Sequence, residues 1–327
     1  MKEGKTKYVP AAGIWELREA IAFRYSSIFG NRWEPSQVIV TNGGKQAIYL
    51  TLKAILDPGD EVIILTPAWV SYESQVLLNR GKPVFVPTNE KFLPDPDLIR
   101  SRITDRTKAL IINSPNNPTG AVYPAELLKE IAEIVLGNRL YVISDEVYRT
   151  LIYDDGEHVS ISSFQEMDKR TILIDSFSKS HAMTGWRVGF LLAPSHIAQA
   201  ISKIMSHTTG NVNTPSQWAA LKAFETDTRY MLEEFHRRRD FVTRELQDMG
   251  FTFQKPAGAF YFFFDVSKYC PDDTIFVEEL LKKQKVAMVP GQAFKAPGMV
   301  RMSFAASMSD LEEGLRRLKN HINGKVS

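Results

Sequence analysis

The sequence predicts an α/β fold, a mostly parallel sheet sandwiched by helices, followed by a smaller α+β C-terminal domain. Three observations point there. Short, continuous apolar runs recur along the earlier part of the chain, helical patterns or turn signals separate them, and the pattern changes after about Thr226. Strands that crossover helices cover on both faces read as unbroken apolar runs rather than as alternating ones.

Taken in order, residues 16–29 carry Leu17, Ile21 and Ile28 at helical spacing. Residues 37–41 form a β-rich run, followed by Gly43-Gly44 and an apolar helix through Leu56. Further strand-like runs lie at 61–65, 83–86, 109–113, 140–144, 171–175 and 188–192. A long charged amphipathic helix is predicted over 226–249, as a connector. It precedes the aromatic run GAFYFFFDV, a helix over 274–283, a strand in GMVRMSF and a final helix opened by a Ser309/Glu312 capping box. The implied division is 1–231 for a large domain and 232–327 for a small one.

Composition narrows the function classes. Of 327 residues, 44% are hydrophobic and 24% charged, which is ordinary for a globular chain. A net charge of +2 gives no reason to expect nucleic acid or membrane partners. One cysteine, Cys270, excludes an internal disulfide, and no apolar run reaches the roughly 20 residues that cross a bilayer. The opening residues lack a signal-peptide core, so a cytoplasmic location is expected. The six histidines show no metal-ligand spacing, and no metal is expected.

In open α/β sheets, ligands bind beyond the carboxyl ends of the strands. Four such ends are followed by NGGKQA, SPNNPTG, DEVY and SFSKSHAMTGWRVG. Singly, each has an ordinary reading. Gly43-Gly44 can be a tight turn, SPNNPTG a turn, Asp145 a helix cap, Lys179 a solvated lysine and Arg187 an ion-pair partner. Together they match the needs of pyridoxal phosphate: a lysine for the imine, a carboxylate for the pyridine nitrogen and an anion pocket for the phosphate. Arg187 offers a planar fork to phosphate, assisted by Ser176 and the Gly43-Gly44 helix start. Trp69 can stack on the pyridine face.

Nine segments in order, YVPAAGIWELREAI, TNGGKQA, LDPGDEVIILTPAWVSY, SPNNPTGAVY, SDEVY, SFSKSHAMTGWRVGF, PAGAFYFF, MVPG and VRMSFA, resemble the fold-type-I, aspartate aminotransferase-like enzymes (class I/II). The resemblance runs from Tyr8 nearly to the C-terminus. It implies pyridoxal 5'-phosphate as cofactor, held by Lys179, which also moves the proton during transamination. It implies that Asp145 pairs with the pyridine nitrogen, and that Tyr148 and Asn117 hydrogen-bond the phenolic oxygen. Arg301, helped by Asn117, grips the substrate α-carboxylate. Gly43, Gly44, Lys45, Ser176 and Arg187 form the phosphate cup, with Ser178 a weaker member. Trp69 serves both cofactor and substrate. Tyr8 corresponds to a tyrosine that reaches the neighbouring subunit's phosphate, which implies a homodimer with shared active sites. The expected partners are an aspartate-like amino acid and a 2-oxo acid such as 2-oxoglutarate. A C–S β-lyase and a cofactor-binding protein with little turnover are the alternatives.

The chain departs from that family at two places. Relatives carry several tens of residues before the position of Tyr8, which supply a dimer arm and a closing loop. Residues 1–7 resemble the tail of the helix that would precede it, the pattern expected of a mis-called start, a truncated gene or a fragment. Relatives also often place an aromatic where Ala68 stands. Residues 237–239 read as a solvated face of the connector helix, and residues 260–264 as packing rather than a cofactor box.

Overall fold

A computed structural model describes residues 4–326 and resolves the seven runs into one sheet. The strands are β1 (Val38–Thr41), β2 (Glu61–Thr66), β3 (Lys82–Pro87), β4 (Thr107–Asn113), β5 (Tyr141–Asp145), β6 (Thr171–Ser176) and β7 (Gly189–Leu192), in the order β1-β7-β6-β5-β4-β2-β3. β3, β2, β4, β5 and β6 pair in parallel, and β7 runs antiparallel to β6 and β1.

Side chains alternate across this sheet, and apart from the half-covered edge strand β3 its strands are buried on both faces. Val62, Ile64, Ala109 and Ile111 enter one hydrophobic core, whereas Ile63, Leu65, Leu110 and Ile112 enter the other. The first core is closed by α1 (Trp15–Phe29), α2 (Gly44–Ile55) and later α7 (Ser195–Ser206), with α8 (Thr214–Ala223) beside α1. α7 shows the cause plainly, since Ile197, Ile201 and Met205 recur every four residues and all are buried. The second is covered by α5 (Ala125–Gly137) through Ile131 and Val135. Shorter helices are α3 (Ser71–Leu78), α4 (Pro96–Ser101) and α6 (Phe177–Ser180).

Beyond α9 (Arg229–Asp248), β8 (Tyr261–Asp265), β9 (Val289–Pro290) and β10 (Met299–Ser303) form an antiparallel sheet in the order β8-β10-β9. α10 (Asp273–Gln284) and α11 (Met308–Val326) pack with it around a separate core that includes Phe262, Phe264, Phe276, Leu280, Leu311 and Leu315.

Four local expectations are corrected. Ile28 is exposed, and Tyr25 takes the inward position on α1, because its hydroxyl donates to buried Asp175. α11 is capped by Ser307, whose Oγ accepts from the Asp310 N–H at 3.1 Å, rather than by Ser309 with Glu312. Arg239 is fully buried, not solvated. Its guanidinium donates two 2.7 Å bonds to Asp154 and lies over the Tyr153 ring at 4.5 Å, whereas Arg237 remains exposed. Of the N-terminal stretch read as a helix tail, residues 1–3 lie outside the described residues. The N–H of Thr6 bonds back to Gly4 in a turn, not a helix.

Candidate active site

Parallel pairing of β4, β5 and β6 brings Asn113, Asp145 and Ser176, the last residue of each, to the same edge of the sheet. Asn113 is a strut there. Its Nδ2 donates to the Asp145 carbonyl at 2.9 Å, and its Oδ1 accepts from the Asn117 N–H at 2.9 Å. One strand end thus sets the height of the carboxylate and of the amide loop together.

Above this edge lies a cavity of about 410 Å³, inside the range of small-molecule sites. It is lined by Gly44, Lys45, Trp69, Asn117, Asp145, Tyr148, Ser176, Ser178, Lys179, Arg187 and Arg301, all singled out from the sequence. Two expected residues are elsewhere. Gly43 is the N-cap of α2, beside lining residues Gly44 and Arg187 but not itself in the lining, and Tyr8 is 98% exposed and outside the cavity.

Lys179 reaches the cavity because Phe177, two residues earlier on α6, is locked into the core against Phe190 and Phe224. Its ammonium lies 5.8 Å from the Tyr148 ring centre and 5.1 Å from that of Phe260. Burial lowers its pKa, as do Arg301 and Arg187, with Asp145 opposing. Asp145 responds in the other direction. Burial pushes its carboxyl up to about 6, although Tyr72 donates to Oδ2 at 2.6 Å and holds it down in part.

The charge balance favours an anionic ligand. Lys45, Lys179, Arg187 and Arg301 face one carboxylate, Asp145. Among the described residues, none of the four cations forms an ion pair with an acid. Arg187 donates to the carbonyls of Thr184 and Asn42 at 2.9 and 3.1 Å. Arg301 on β10 donates to Asn117 Oδ1 at 2.9 Å, and its buried Nε has no partner. Lys45 lies over Trp69, 5.0 Å from the ring.

The α2 start is shaped for close approach. Gly43 has φ +81°, and a Cβ there would meet Arg187 Nη2 at 2.6 Å. A Cβ on Gly189 would meet the Gly43 carbonyl carbon at 2.5 Å. Free N–H groups at the first turn of α2, with Arg187 beside them, make an anion cradle. Pyridoxal phosphate fits this set: a dianion for the cradle, a pyridine nitrogen for Asp145, and a lysine amine facing both.

Several lining residues were not found from the sequence. Tyr72, Asn113 and Thr184 have no signal beyond proximity to a motif. Tyr261 corrects the reading of the 260–264 run. Phe260, Phe262 and Phe264 do pack the core, but Tyr261 lines the cavity, and its hydroxyl is 2.9 Å from that of Tyr148.

A family model described as aminotransferase class I and II matches residues 1–318. An aspartate aminotransferase of Thermotoga maritima is 46% identical over 99% of this chain and 86% of its own length. A probable aspartate/prephenate aminotransferase of Aquifex aeolicus is 44% identical over 98% of the chain and 84% of its own. The crystal structure of a Thermotoga maritima aspartate aminotransferase superposes with a TM-score of 0.95 at 47% identity, covering 98% of this chain and 85% of that one.

Proposed function

We propose, since this chain belongs to the class I and II aminotransferases, that its cavity transfers the amino group of an aspartate-like donor to a 2-oxo acid such as 2-oxoglutarate. The observation that carries this reading is the set of four cations, with no acidic ion-pair partner among the described residues, around a single buried carboxylate. Bound pyridoxal phosphate supplies an electron sink that acidifies the substrate Cα–H and stores the amino group between the two acids.

The chain's own residues do the rest. Arg301 takes the substrate α-carboxylate as a forked pair, oriented by its bond to Asn117. Lys179, its amine pKa lowered by burial and two arginines, is a neutral base near pH 7 more readily than a surface lysine. With the cofactor bound, Lys179 would hold it at rest and, once displaced by the substrate amine, would move the proton at the substrate Cα. Asp145 keeps a proton on the pyridine nitrogen, because a buried carboxylate is stabilised by meeting that cation. Tyr148 and Asn117 donate to the phenolic oxygen. Arg187, Ser176, Ser178, Lys45 and the Gly43–Gly44 helix start would hold the phosphate, and Trp69 would pack on the ring.

Tyr8 is 98% exposed and outside its own cavity, so its hydroxyl is free to reach a neighbouring subunit. We therefore assign Tyr8 to a partner's phosphate in a homodimer with shared sites. The core around the three-stranded sheet is distinct from the two that flank the large sheet, although Tyr148, Leu151 and Tyr153 enter it, and this supports a division at 1–231 and 232–327. Among the described residues no helix is long and apolar enough to cross a membrane, and the buried free Cys270 supports a reducing, cytoplasmic location.

The test is to add each amino acid to the cofactor-loaded protein and follow the absorption spectrum. Aspartate should bleach the resting band and release its oxo acid. No response to any amino acid would sink the reading. The Aquifex relative's name supports a second acceptor, so prephenate is offered beside 2-oxoglutarate as the 2-oxo acid. Pyruvate from cystathionine would indicate β-elimination instead.

A further inference from the structure

Tyr261 opens β8, on the sheet that carries Arg301, while Tyr148 follows β5 in the larger sheet. Their hydroxyls meet at 2.9 Å, and both residues are buried. The Arg301 guanidinium lies over the Tyr261 ring at 4.5 Å. Among the described residues, Tyr148 is the hydrogen-bond partner of the Tyr261 hydroxyl, and no other is found.

A phenol has one hydrogen to donate and lone pairs to accept with. Burial raises both phenols, so both stay protonated at neutral pH. The pair therefore has two arrangements. If Tyr148 donates to Tyr261, it has nothing left for the cavity. If Tyr261 donates, the Tyr148 hydrogen is released toward the cavity. An anionic oxygen there favours the second arrangement, because a hydrogen bond to a charged acceptor is the stronger one and each donor polarises the next.

We propose that Tyr261 is a positioning residue that donates to Tyr148 and so commits the single Tyr148 hydrogen to the cofactor's phenolic oxygen. This rests on the assignment of Tyr148 made above. It gives β8 a part in tuning the cofactor, in addition to forming the floor under Arg301.

The test is the pH titration of the bound cofactor's absorption band. A donor on the phenolic oxygen stabilises its negative charge and lowers the midpoint. Tyr261→Phe keeps the ring under Arg301 and removes one hydroxyl. Its midpoint should rise by roughly half a unit to one unit, with KM for the amino acid changed less than about twofold. In a Tyr148→Phe background, the same substitution should add nothing. No shift in the wild-type background, or an equal shift in both, overturns the proposal.

If Tyr148→Phe binds cofactor yet leaves the midpoint unmoved, the Tyr148 assignment falls and takes this proposal with it. Absence of any bound-cofactor band in the wild type would instead remove the parent reading. Should Tyr261→Phe not fold, 3-fluorotyrosine at position 261 preserves the packing. As a stronger donor it should lower the midpoint, and a rise would count against the assignment.

Discussion

The Tyr72 hydroxyl donates to Oδ2 of Asp145 at 2.6 Å, and both groups are buried at the edge of the cavity. This bond holds the carboxylate's charge and its direction without adding a second charge. Tyr72→Phe should leave the fold intact and raise the cofactor dissociation constant roughly tenfold, the scale of a lost hydrogen bond to an ion. Fluorescence titration with pyridoxal phosphate at fixed pH measures it, and an unchanged constant would rule the role out.

Asp145 also sets a pH dependence in the cofactor-free protein. Its carboxyl lies at about 6 against an ordinary 3.8, which corresponds to roughly 3 kcal/mol. A carboxyl raised on folding binds its proton more tightly in the folded state. Its stabilising contribution is therefore complete below about pH 4 and lost as pH rises through 6. Asp145→Asn should gain on the wild type by about that amount between pH 4 and pH 8, read as the change in the melting difference. With cofactor present the order reverses, because the wild-type carboxylate then meets a pyridinium. A gap independent of pH would contradict the first half.

Gly189 is required by backbone rather than by ligand contact. The atoms a methyl would meet, at 2.5 to 2.7 Å, belong to the Gly43–Gly44 main chain and cannot swing aside. Gly189→Ala is expected to displace the start of α2, weaken cofactor binding roughly tenfold or more, and cost about 1–3 kcal/mol of stability. Gly137→Ala, where nothing lies within 4 Å, is the control and should behave as wild type in the cofactor titration.

Arg237 and Arg239 separate a surface charge from a buried one. Arg239→Ala removes the paired bonds to Asp154 and the packing on Tyr153, and should cost about 3 kcal/mol or more. Arg237→Ala should fall within about 0.5 kcal/mol of wild type. Chemical denaturation with equal slopes would give both figures. Equal losses would show that burial is not what distinguishes them.

The contrast also marks how far the sequence could be read. Most strands of the large sheet were legible because residues covered on both faces leave continuous apolar runs such as VIVT and EVIILT, and half-covered β3 was legible from its apolar run PVFV. That Lys179, Asp145 and Arg187 come together at one cavity was legible because they stand at or soon after strand ends within dense motifs. Arg239 was not, since besides the adjacent Asp240 its partners are Asp154, 85 residues away, and the Tyr153 ring, which leave no local mark. Tyr72 and Tyr261 were missed for a related reason. A buried tyrosine in an aromatic stretch looks like packing until its hydroxyl is given a partner. Ser307 was passed over for Ser309 because two serines two residues apart compete for one cap, and only the approach of the chain decides.

Asp145 ends a strand of the large sheet, whereas Tyr148 already belongs to the core around the small one, as do Leu151 and Tyr153. A molecule held by both residues is gripped by two separate cores at once. Such a ligand couples them thermodynamically, because neither can melt without releasing it. Calorimetry should then show a single heat-absorption peak for the loaded protein and a broader or split one once the cofactor is stripped. The cofactor would thus define the size of the cooperative unit as well as the chemistry.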